Sequence, residues 1–214
     1  MVKCEKFRNE MFVIVNYGVG NLVSIQNMLK KAGVKAIISS NQADIEQADK
    51  ILLPGMGAFD NCMIKLNQSG LRPSIEHKAH VEKVSFLGIC VGLQMLMASS
   101  EEGVEKGLGW IDGETIMFKS ERMQGHQKIP NMGWLEINVM KSSPLMDCLN
   151  GSRFYFAHSY HVKINDKNDE LISAHYGYDF TAGVERGNIL GVQFHPEKSH
   201  RFGLQLFKNF AENY

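Results

Sequence analysis

In the first half of the chain, short continuous apolar runs alternate with segments whose apolar residues recur at helical spacing. The apolar runs predict strands at residues 12–15, 35–40, 50–54 and 84–89. The helical spacing predicts helices over residues 22–32, 43–49, 58–69, 73–82 and 91–98. Because strands that are buried on both faces are apolar throughout, this alternation is typical of a parallel sheet with helices on both sides.

After about residue 108 the pattern changes to strand-like segments that turn residues separate. These segments lie at residues 110–118, 134–140, 152–164, 170–178, 180–187 and 188–194, and an amphipathic helix is predicted over 199–213. We therefore expect one α/β domain over residues 12–214, with a mostly parallel central sheet, flanking helices and antiparallel strands in the second half. Residues 1–11 precede the first predicted strand and are expected to form an N-terminal extension.

Composition narrows the classes of protein to consider. The 214 residues are enough to bury a full core without disulfides or a structural metal. Lys and Arg number 23 and Asp and Glu number 23, and this balance argues against a nucleic-acid binder. No apolar run approaches the roughly 20 residues that span a bilayer, and residues 1–11 are too polar for a signal peptide. We expect a cytoplasmic protein with reduced thiols.

The four cysteines are too far apart along the sequence to form a zinc-binding pair or a CxxC redox pair. Two pairs of histidines stand three residues apart, but no carboxylate or cysteine completes a ligand set at a suitable spacing. We therefore predict no metal and no other cofactor. Cys4, Cys62 and Cys148 are interpreted as structural thiols.

The sharpest local feature is the segment GICVGLQ at residues 88–94. Cys90 stands where a buried strand should end and a helix begin, between Gly88 and Gly92. A nucleophile on such a tight turn needs small neighbours, because the backbone leaves no room for Cβ atoms. The start of the following helix would offer N–H groups that favour a thiolate and a developing oxyanion. Taken alone, the pattern fits a nucleophile and a buried structural cysteine equally well.

A nucleophilic cysteine needs a base, and the segment HPE at residues 195–197 offers one. His195 follows a predicted strand, Pro196 keeps the residue before it extended, and Glu197 is close enough to orient the imidazole. A lone histidine in a loop is more often structural. The presence of Glu197 and of a separate cysteine turn favours a set of nucleophile, base and orienting carboxylate.

A second glycine-rich turn, LPGMGAFD at residues 53–60, follows the third predicted strand. Gly55 and Gly57 would let backbone N–H groups approach a ligand closely, which suits an oxyanion hole. The segment is not a dinucleotide fingerprint, because Asp60 stands where GxGxxG requires glycine. On its own, this loop is better explained by turn chemistry.

In their order along the chain, PGMG, GICVGLQ and HPEKS resemble the class I, triad-type glutamine amidotransferases. Further segments resemble one subfamily, the glutaminase subunits of imidazole glycerol phosphate synthases. These segments are NYGVGNL, LPGMGAFDNCM, SEEGVEKGLGWIDGET, KIPNMGW, RFYFAHSYHV and GVQFHPEKSHRFGLQLFKNF. The resemblance runs from about residue 12 to the C-terminus.

The resemblance implies that the protein hydrolyses glutamine to glutamate and ammonia. It implies that Cys90 attacks the side-chain amide, that His195 shuttles the proton and that Glu197 orients His195. The positions that it implies for the oxyanion loop and for glutamine binding are Gly55, Met56, Gly57, Gln94, Glu102, His158, Ser159 and Tyr160. Without the resemblance, Glu102 fits a solvated charge at a helix end equally well.

The resemblance also implies a protein partner. Ammonia is protonated in water and is then no nucleophile, so a subunit of this kind is expected to dock on a (β/α)8-barrel cyclase and to deliver ammonia through a tunnel. The product would be imidazole glycerol phosphate, in histidine biosynthesis. The implied docking residues are Asn21, Pro130, Asn131, Met132, Gly133, Trp134 and Lys198.

Departures from the subfamily pattern leave alternatives for the pathway. Asn16 stands where the subfamily usually has Asp, and Asn131 stands where it usually has His or Gln. One alternative is a paralogous glutaminase that supplies ammonia for the amidation of a surface-polysaccharide sugar. A second is a non-catalytic binding subunit of a synthase. A cysteine peptidase would share the nucleophile and the base, but the PGMG and HSY segments do not support it.

Overall fold

A computed structural model of the chain describes residues 10–123 and 127–214. Residues 1–9 lie outside the described residues, and with them Cys4 and most of the predicted N-terminal extension.

The first half of the chain alternates strands and helices as the sequence predicts. Its strands are β1 (Phe12–Val15), β2 (Ala36–Ser39), β3 (Lys50–Gly55) and β4 (Ser85–Cys90). Its helices are α1 (Leu22–Lys31), α2 (Gln42–Glu46), α3 (Phe59–Gln68) and α4 (Arg72–His80).

The second half is richer in strands. Its helices are α5 (Val91–Gln94) and α6 (His200–Asn213). Its strands are β5 (Ser99–Ser100), β6 (Gly113–Met117), β7 (Asn131–Val139), β8 (Arg153–His158), β9 (Tyr160–Ile164), β10 (Glu170–Tyr176), β11 (Tyr178–Arg186) and β12 (Ile189–Val192). Short 3-10 turns occupy Ser120–Arg122, Pro144–Met146, Lys167–Asp169 and Pro196–Lys198.

The strands form one mixed sheet, whose main path has the order β2-β1-β3-β4-β12-β11-β10-β7-β8. The pairs from β2 to β12 along this path are parallel, and the pairs from β12 to β8 are antiparallel. The predicted α/β fold class, with a parallel centre and antiparallel strands in the second half, is confirmed. The unexpected member is β12, because this last strand of the chain lies in the parallel part, beside β4.

Two predicted elements were wrong in their bounds. The helix predicted over residues 91–98 ends at Gln94. The N–H groups of Leu96 and Met97 bind carbonyls only three residues back, and the N–H of Ala98 donates to the carbonyl of Gly113 on β6 instead. The predicted segment 152–164 is two strands, β8 and β9, which pair with different neighbours and are divided at Ser159.

The helix α6 closes the core beneath the parallel strands. Its residues Leu206, Phe207 and Phe210 are fully buried, and the Phe210 ring meets the edge of Phe12 on β1 at 6.4 Å. Each such side chain contributes roughly 1.5–3 kcal/mol through burial. Among the described residues, none of the helices has both the length and the apolar content needed to cross a lipid bilayer.

The end of the N-terminal segment contacts the sheet. Lys50, at the start of β3, is only 3% exposed, and its ammonium group pairs with the carboxylate of Glu10 at 2.9 Å. The same ammonium group donates to the carbonyl of Ala211 at 2.7 Å. Glu10 therefore compensates a charge that the core would otherwise hold with less support.

Candidate active site

Three neighbouring parallel strands place the predicted catalytic segments at one edge of the sheet. Gly55 at the end of β3 is in register with Cys90 at the end of β4, and Val192 at the end of β12 is in register with Ile89. The carboxyl ends of parallel strands meet at one edge, so the three segments that follow them converge there. A cavity of about 260 Å³ opens at this edge.

The cavity brings together most of the residues that the sequence singled out. Those that line it are Met56, Gly57, Cys90, Gln94, Glu102, Pro130, Met132, His158, Ser159, Tyr160, His195 and Lys198. Glu197 lies behind His195, and Gly55 lies at the end of β3. Among the residues that the structure describes, no group of three His, Cys, Asp or Glu side chains lies close enough together to hold a metal ion.

Cys90 occupies a strained turn between β4 and α5. Its φ of 57° and ψ of −113° lie in a region that residues with a side chain rarely adopt. A Cβ on Gly92 would collide with the carbonyl oxygen of Leu53, and one on Gly88 would lie 2.6 Å from the oxygen of Gly92. The small neighbours that the sequence analysis invoked are therefore required by the close packing of the turn against β3.

His195 and Glu197 form a buried pair beside Cys90. The Nδ1 atom of His195 lies 2.9 Å from Oε1 of Glu197, and the two side chains are 8% and 2% exposed. Since a carboxylate only accepts, Nδ1 carries a proton and Nε2 is left for Cys90. The other carboxylate oxygen of Glu197 has no hydrogen-bond partner among the described residues.

The backbone around His195 is fixed to the edge of β8. The N–H of His195 donates to the carbonyl of Tyr155 at 2.9 Å. The hydroxyl of Ser199 donates to the carbonyl of His195 at 2.6 Å and accepts from the N–H of Tyr155 at 3.0 Å. Sequence reasoning missed this role of Ser199, which the segment HPEKS contains but does not reveal.

The electrostatics of the pair favour an imidazolium at His195. Burial by itself disfavours the charged ring, but the hydrogen bonds with Cys90 and Glu197 and the negative charges of these groups raise the pKa of His195 to about 10. His195 thus carries a proton that it can transfer to a neighbouring group.

His158 is held in its neutral form on the opposite wall of the cavity. Its Nδ1 lies 2.7 Å from the carbonyl oxygen of Tyr160, and its Nε2 lies 3.1 Å from the amide nitrogen of Asn131. Because a carbonyl only accepts, the proton sits on Nδ1 and Nε2 accepts from Asn131. Burial lowers the pKa of His158 to about 3, with the nearby His161 and His195 acting in the same direction.

Asn131, one of the predicted docking residues, has a buried side chain in the structure. It is only 1% exposed, and its side chain points inward to His158. The strand β7 begins at Asn131 and alternates its side chains, so Asn131 faces the interior while Met132, 65% exposed, faces out. In this conformation, the side chain of Asn131 supports His158 and Met132 is the exposed neighbour.

The other predicted docking residues lie around the mouth of the cavity or beside it. Pro130 and Lys198 are exposed at its rim, whereas Asn21 and Gly133 are half-buried. Trp134 is half-buried too, and its ring stacks on His200 at 5.5 Å.

Glu102 is held by a helix start rather than solvated. Its Oε2 accepts from the N–H of Phe59, the first residue of α3, at 2.8 Å. Asp60, on α3, makes the reciprocal contact: its carboxylate accepts from the N–H groups of Val104 and Glu105 at 3.0 Å each. The two acidic residues lock the loop after β5 onto α3 and keep Glu102 at the cavity. Sequence reasoning noted Asp60 only as a break in a glycine motif and missed this role.

The Gly55–Gly57 loop is held from below by two side chains. The hydroxyl of Tyr17 donates to the carbonyl of Pro54 at 2.7 Å. The thiol of Cys62, on α3, donates to the carbonyl of Met56 at 3.6 Å, and burial raises the pKa of that thiol. Cys62 thus remains a protonated donor that packs beneath the loop, while Cys148 is exposed.

Gln193 is the most central residue that sequence reasoning missed. It is fully buried, its Nε2 donates to the sulfur of Cys90 at 3.8 Å, and its Oε1 accepts from Nε2 of Gln94 at 3.1 Å. No local signal in the sequence separates Gln193 from other polar residues of strand-like segments, because it stands in a bend just after β12.

Comparisons of the sequence with known proteins all lead to the same family. The family described as Glutamine amidotransferase class-I matches residues 13–213. Imidazole glycerol phosphate synthase subunit HisH 2 of Pseudomonas aeruginosa is 48% identical over 203 residues, 94% of this chain and 99% of that protein. The subunit HisH 2 of Methanococcus maripaludis is 46% identical over the same shares, and subunit HisH of Leptospira borgpetersenii is 44% identical over 94% of this chain and 99% of that protein.

Solved structures share the fold at lower identity. The structure of PurLQS from Thermotoga maritima matches with a TM-score of 0.71 at 17% identity, over 94% of this chain and 97% of that chain. A crystal structure described as a glutamine amidotransferase matches with a TM-score of 0.68 at 18% identity, over 91% of this chain and 98% of that one.

Proposed function

This chain belongs to the class I glutamine amidotransferases, and on that premise we propose that it is the glutaminase subunit of an imidazole glycerol phosphate synthase. It hydrolyses glutamine and passes the ammonia to a (β/α)8-barrel cyclase in histidine biosynthesis. The observation that carries the proposal is the turn that holds Cys90 beside the buried pair of His195 and Glu197.

In the first half-reaction, the thiolate of Cys90 attacks the side-chain amide carbon of glutamine, and the amide oxygen takes up negative charge. Backbone N–H groups of the Gly55–Gly57 loop are the proposed donors to that oxygen. His195 gives its proton to the nitrogen as the carbon–nitrogen bond breaks, so ammonia leaves and a glutamyl thioester remains on Cys90.

In the second half-reaction, water attacks the thioester. The neutral His195 accepts a proton from that water, the carbon–sulfur bond breaks and glutamate is released. The thiolate and the imidazolium are thereby restored. Glu197 keeps its hydrogen bond to Nδ1 through both steps, so the ring does not turn away from the sulfur.

Glutamine carries an ammonium and a carboxylate, and the cavity offers a partner for the ammonium. Glu102 uses one carboxylate oxygen on Phe59, which leaves the second oxygen for the ammonium. Gln94 uses both hydrogens of its amide nitrogen, on Tyr160 and Gln193, which leaves its oxygen as an acceptor. We assign glutamine binding to these groups and to the segment His158–Tyr160.

A docking surface for the cyclase is proposed around the mouth of the cavity. Met132 and Pro130 are exposed there and Lys198 stands on the opposite rim, so a partner seated on them would cover the place from which ammonia leaves. A closed exit keeps ammonia away from water and hence unprotonated.

The nucleophile is tested with Cys90→Ala in the presence of the cyclase. Glutamine hydrolysis should fall by at least about a thousandfold, because no other group can form the thioester. Cys148→Ala, which changes an exposed cysteine, is the control and should keep wild-type turnover. Wild-type turnover by Cys90→Ala would place the nucleophile elsewhere, and failure of a glutamine-analogue electrophile to label Cys90 would favour the non-catalytic subunit.

The pathway is tested by mixing the chain with each candidate barrel. Stimulation of glutaminase activity by the imidazole glycerol phosphate cyclase supports histidine biosynthesis. Stimulation only by the barrel of a sugar-amidation system would favour the paralogous function instead.

A further inference from the structure

We propose that Gln193 positions the sulfur of Cys90 and the substrate-binding amide of Gln94 at the same time. It is the middle member of a chain of hydrogen bonds that runs from the carbonyl of Tyr160 to the sulfur. The inference rests on the proposed glutaminase function and adds a residue that the triad does not contain.

The direction of every bond in this chain follows from the carbonyl of Tyr160. A carbonyl oxygen only accepts, so the group of Gln94 that lies 3.1 Å from it is the amide nitrogen. That nitrogen uses its second hydrogen on Gln193, whose facing atom must therefore be the oxygen, at 3.1 Å. Gln193 is then left with its own nitrogen directed at Cys90, 3.8 Å from the sulfur.

The carbonyl of Tyr160 is itself fixed by a second donor. The Nδ1–H of His158 reaches it at 2.7 Å, and the amide of Asn131 holds the other ring nitrogen. Two donors on one backbone oxygen leave little freedom for Tyr160 to turn. The orientation of both glutamine amides is thus anchored to the start of β9 rather than to solvent.

The backbone of Gln193 is held in place just after β12. Its backbone N–H is bound to the carbonyl of Ala182 on β11 at 2.9 Å, so it continues the ladder beyond β12. The chain bends at residues 193 and 194, and the side chain of Gln193 lies between Cys90 and Gln94, with which it makes its two hydrogen bonds. The sulfur of Cys90 therefore accepts an N–H from Gln193 and lies beside the imidazole of His195.

A neutral amide suits this place for a chemical reason. It donates a hydrogen bond to negatively charged sulfur without being able to take up the proton that His195 must handle. It also cannot lose its own proton to the thiolate. A buried amide that is satisfied on both atoms holds the sulfur in one position between catalytic cycles.

The test compares Gln193→Met, Gln193→Glu and the exposed control Gln68→Met. Methionine keeps the volume and removes both hydrogen bonds. Glutamate keeps an oxygen for Gln94 and replaces the donor to sulfur by a second oxygen. Two quantities are measured: the rate at which iodoacetamide alkylates Cys90, followed by mass spectrometry of the Cys90 peptide, and kcat and KM for glutamine in the complex with the cyclase.

For Gln193→Met we expect alkylation of Cys90 to slow roughly tenfold and KM to rise roughly tenfold, since one lost bond affects the sulfur and the other affects Gln94. For Gln193→Glu we expect the slower alkylation with a KM within about threefold of wild type. A residue that only supported the fold would not separate these two quantities. If Gln193→Met does not fold, Gln193→Glu alone carries the test.

Wild-type alkylation and wild-type KM in either folded variant would overturn the role of Gln193. That result would leave the proposed function intact as long as Cys90→Ala is inactive. Absence of glutaminase activity in the wild-type complex would instead remove the proposed function. Slowing of alkylation in Gln68→Met to the same extent would show that the effect is not specific to Gln193.

Discussion

The parallel strands β3, β4 and β12 and the antiparallel strands β7, β8 and β9 build the two walls of the same cavity in different ways. On the parallel wall, the backbone places the reacting groups: Cys90 sits on a strained turn, and close packing of Gly92 against Leu53 leaves that turn no other shape. On the antiparallel wall, buried polar side chains do the placing, through His158, Asn131 and the carbonyl of Tyr160.

The difference teaches which kind of change each wall tolerates. A close-packed backbone turn is distorted when a substitution adds a side-chain atom to it, because the neighbouring atoms cannot move aside. A buried hydrogen-bond network is destabilised when one of its acceptors is protonated. A proton on Nε2 of His158, for example, would face the N–H of Asn131, so that two donors would meet. The two walls should therefore respond to different perturbations, and three experiments can break or sharpen that contrast.

The largest effect is expected for Gly92→Ala. The added Cβ meets the carbonyl oxygen of Leu53, and the turn that carries Cys90 must distort. We expect a loss of more than about 3 kcal/mol in the free energy of unfolding, together with loss of glutaminase activity. Chemical denaturation measures the first quantity. Gly70→Ala is the control, because its Cβ would meet no atom within 4 Å and only its φ of 73° opposes the change, at about 1 kcal/mol.

The next effect concerns acid and His161, a buried histidine on β9 that follows Tyr160 of the antiparallel wall. Burial lowers the pKa of His161 from 6.5 to about 4, against a backbone hydrogen bond that raises it. The folded state therefore binds this proton only at lower pH than the unfolded state does. The resulting stability is complete above pH 6.5 and is lost as pH falls toward 4, by up to about 3 kcal/mol.

His161→Gln should reduce the loss of stability between pH 6.5 and pH 4, as measured by urea denaturation at a series of pH values. Part of the loss should remain, because burial also lowers the pKa of His158, to about 3. His77→Gln, which changes an exposed histidine on α4, should leave the pH dependence unchanged. An unaltered slope in His161→Gln would mean that another group controls the acid response, and the contrast between the two walls would then lose its electrostatic basis.

The smallest effect is expected at the far edge of the parallel strands. Glu10→Gln removes the negative charge that faces the buried ammonium of Lys50, while the carbonyl of Ala211 stays in place. Because Glu10 is about a third exposed, we expect a loss of about 1 kcal/mol in the free energy of unfolding, with glutaminase activity unchanged. Glu212→Gln, an exposed change on α6, should have no effect. A loss of activity in Glu10→Gln would show that this edge is coupled to the cavity.

The sequence predicted the parallel wall better than the antiparallel one. Continuous apolar runs predict the ends of β1 to β4 to within two residues. The glycines on either side of Cys90 indicate a tight turn, because close backbone packing is what excludes larger residues there. The resemblance to the class I glutamine amidotransferases, drawn from such segments, is confirmed. The turn, HPE and PGMG are local features, so each can be recognised without knowing what lies opposite.

The features that the sequence did not predict depend on contacts between residues that are far apart along the chain. Gln193 and Asn131 are polar residues in strand-like segments, and nothing nearby in the sequence says that one meets Cys90 and the other meets His158. The helix predicted over residues 91–98 is cut short where the N–H of Ala98 donates to the carbonyl of Gly113, which is distant in the sequence. Pattern reasoning of this kind measures local preference, and tertiary hydrogen bonds override it.

The place of β12 beside β4 has a consequence for how the protein is made. Leu190 pairs with Leu87, so two strands about a hundred positions apart in the order of synthesis must meet before the sheet is continuous. Contacts this distant form slowly, because a long loop of chain must be closed first. Until that closure, the edge of β4 is open and the thiol of Cys90 has no histidine beside it. Under the proposed mechanism, the protein becomes reactive toward glutamine only when β12 has joined the sheet, so the onset of ammonia release is tied to the completion of folding.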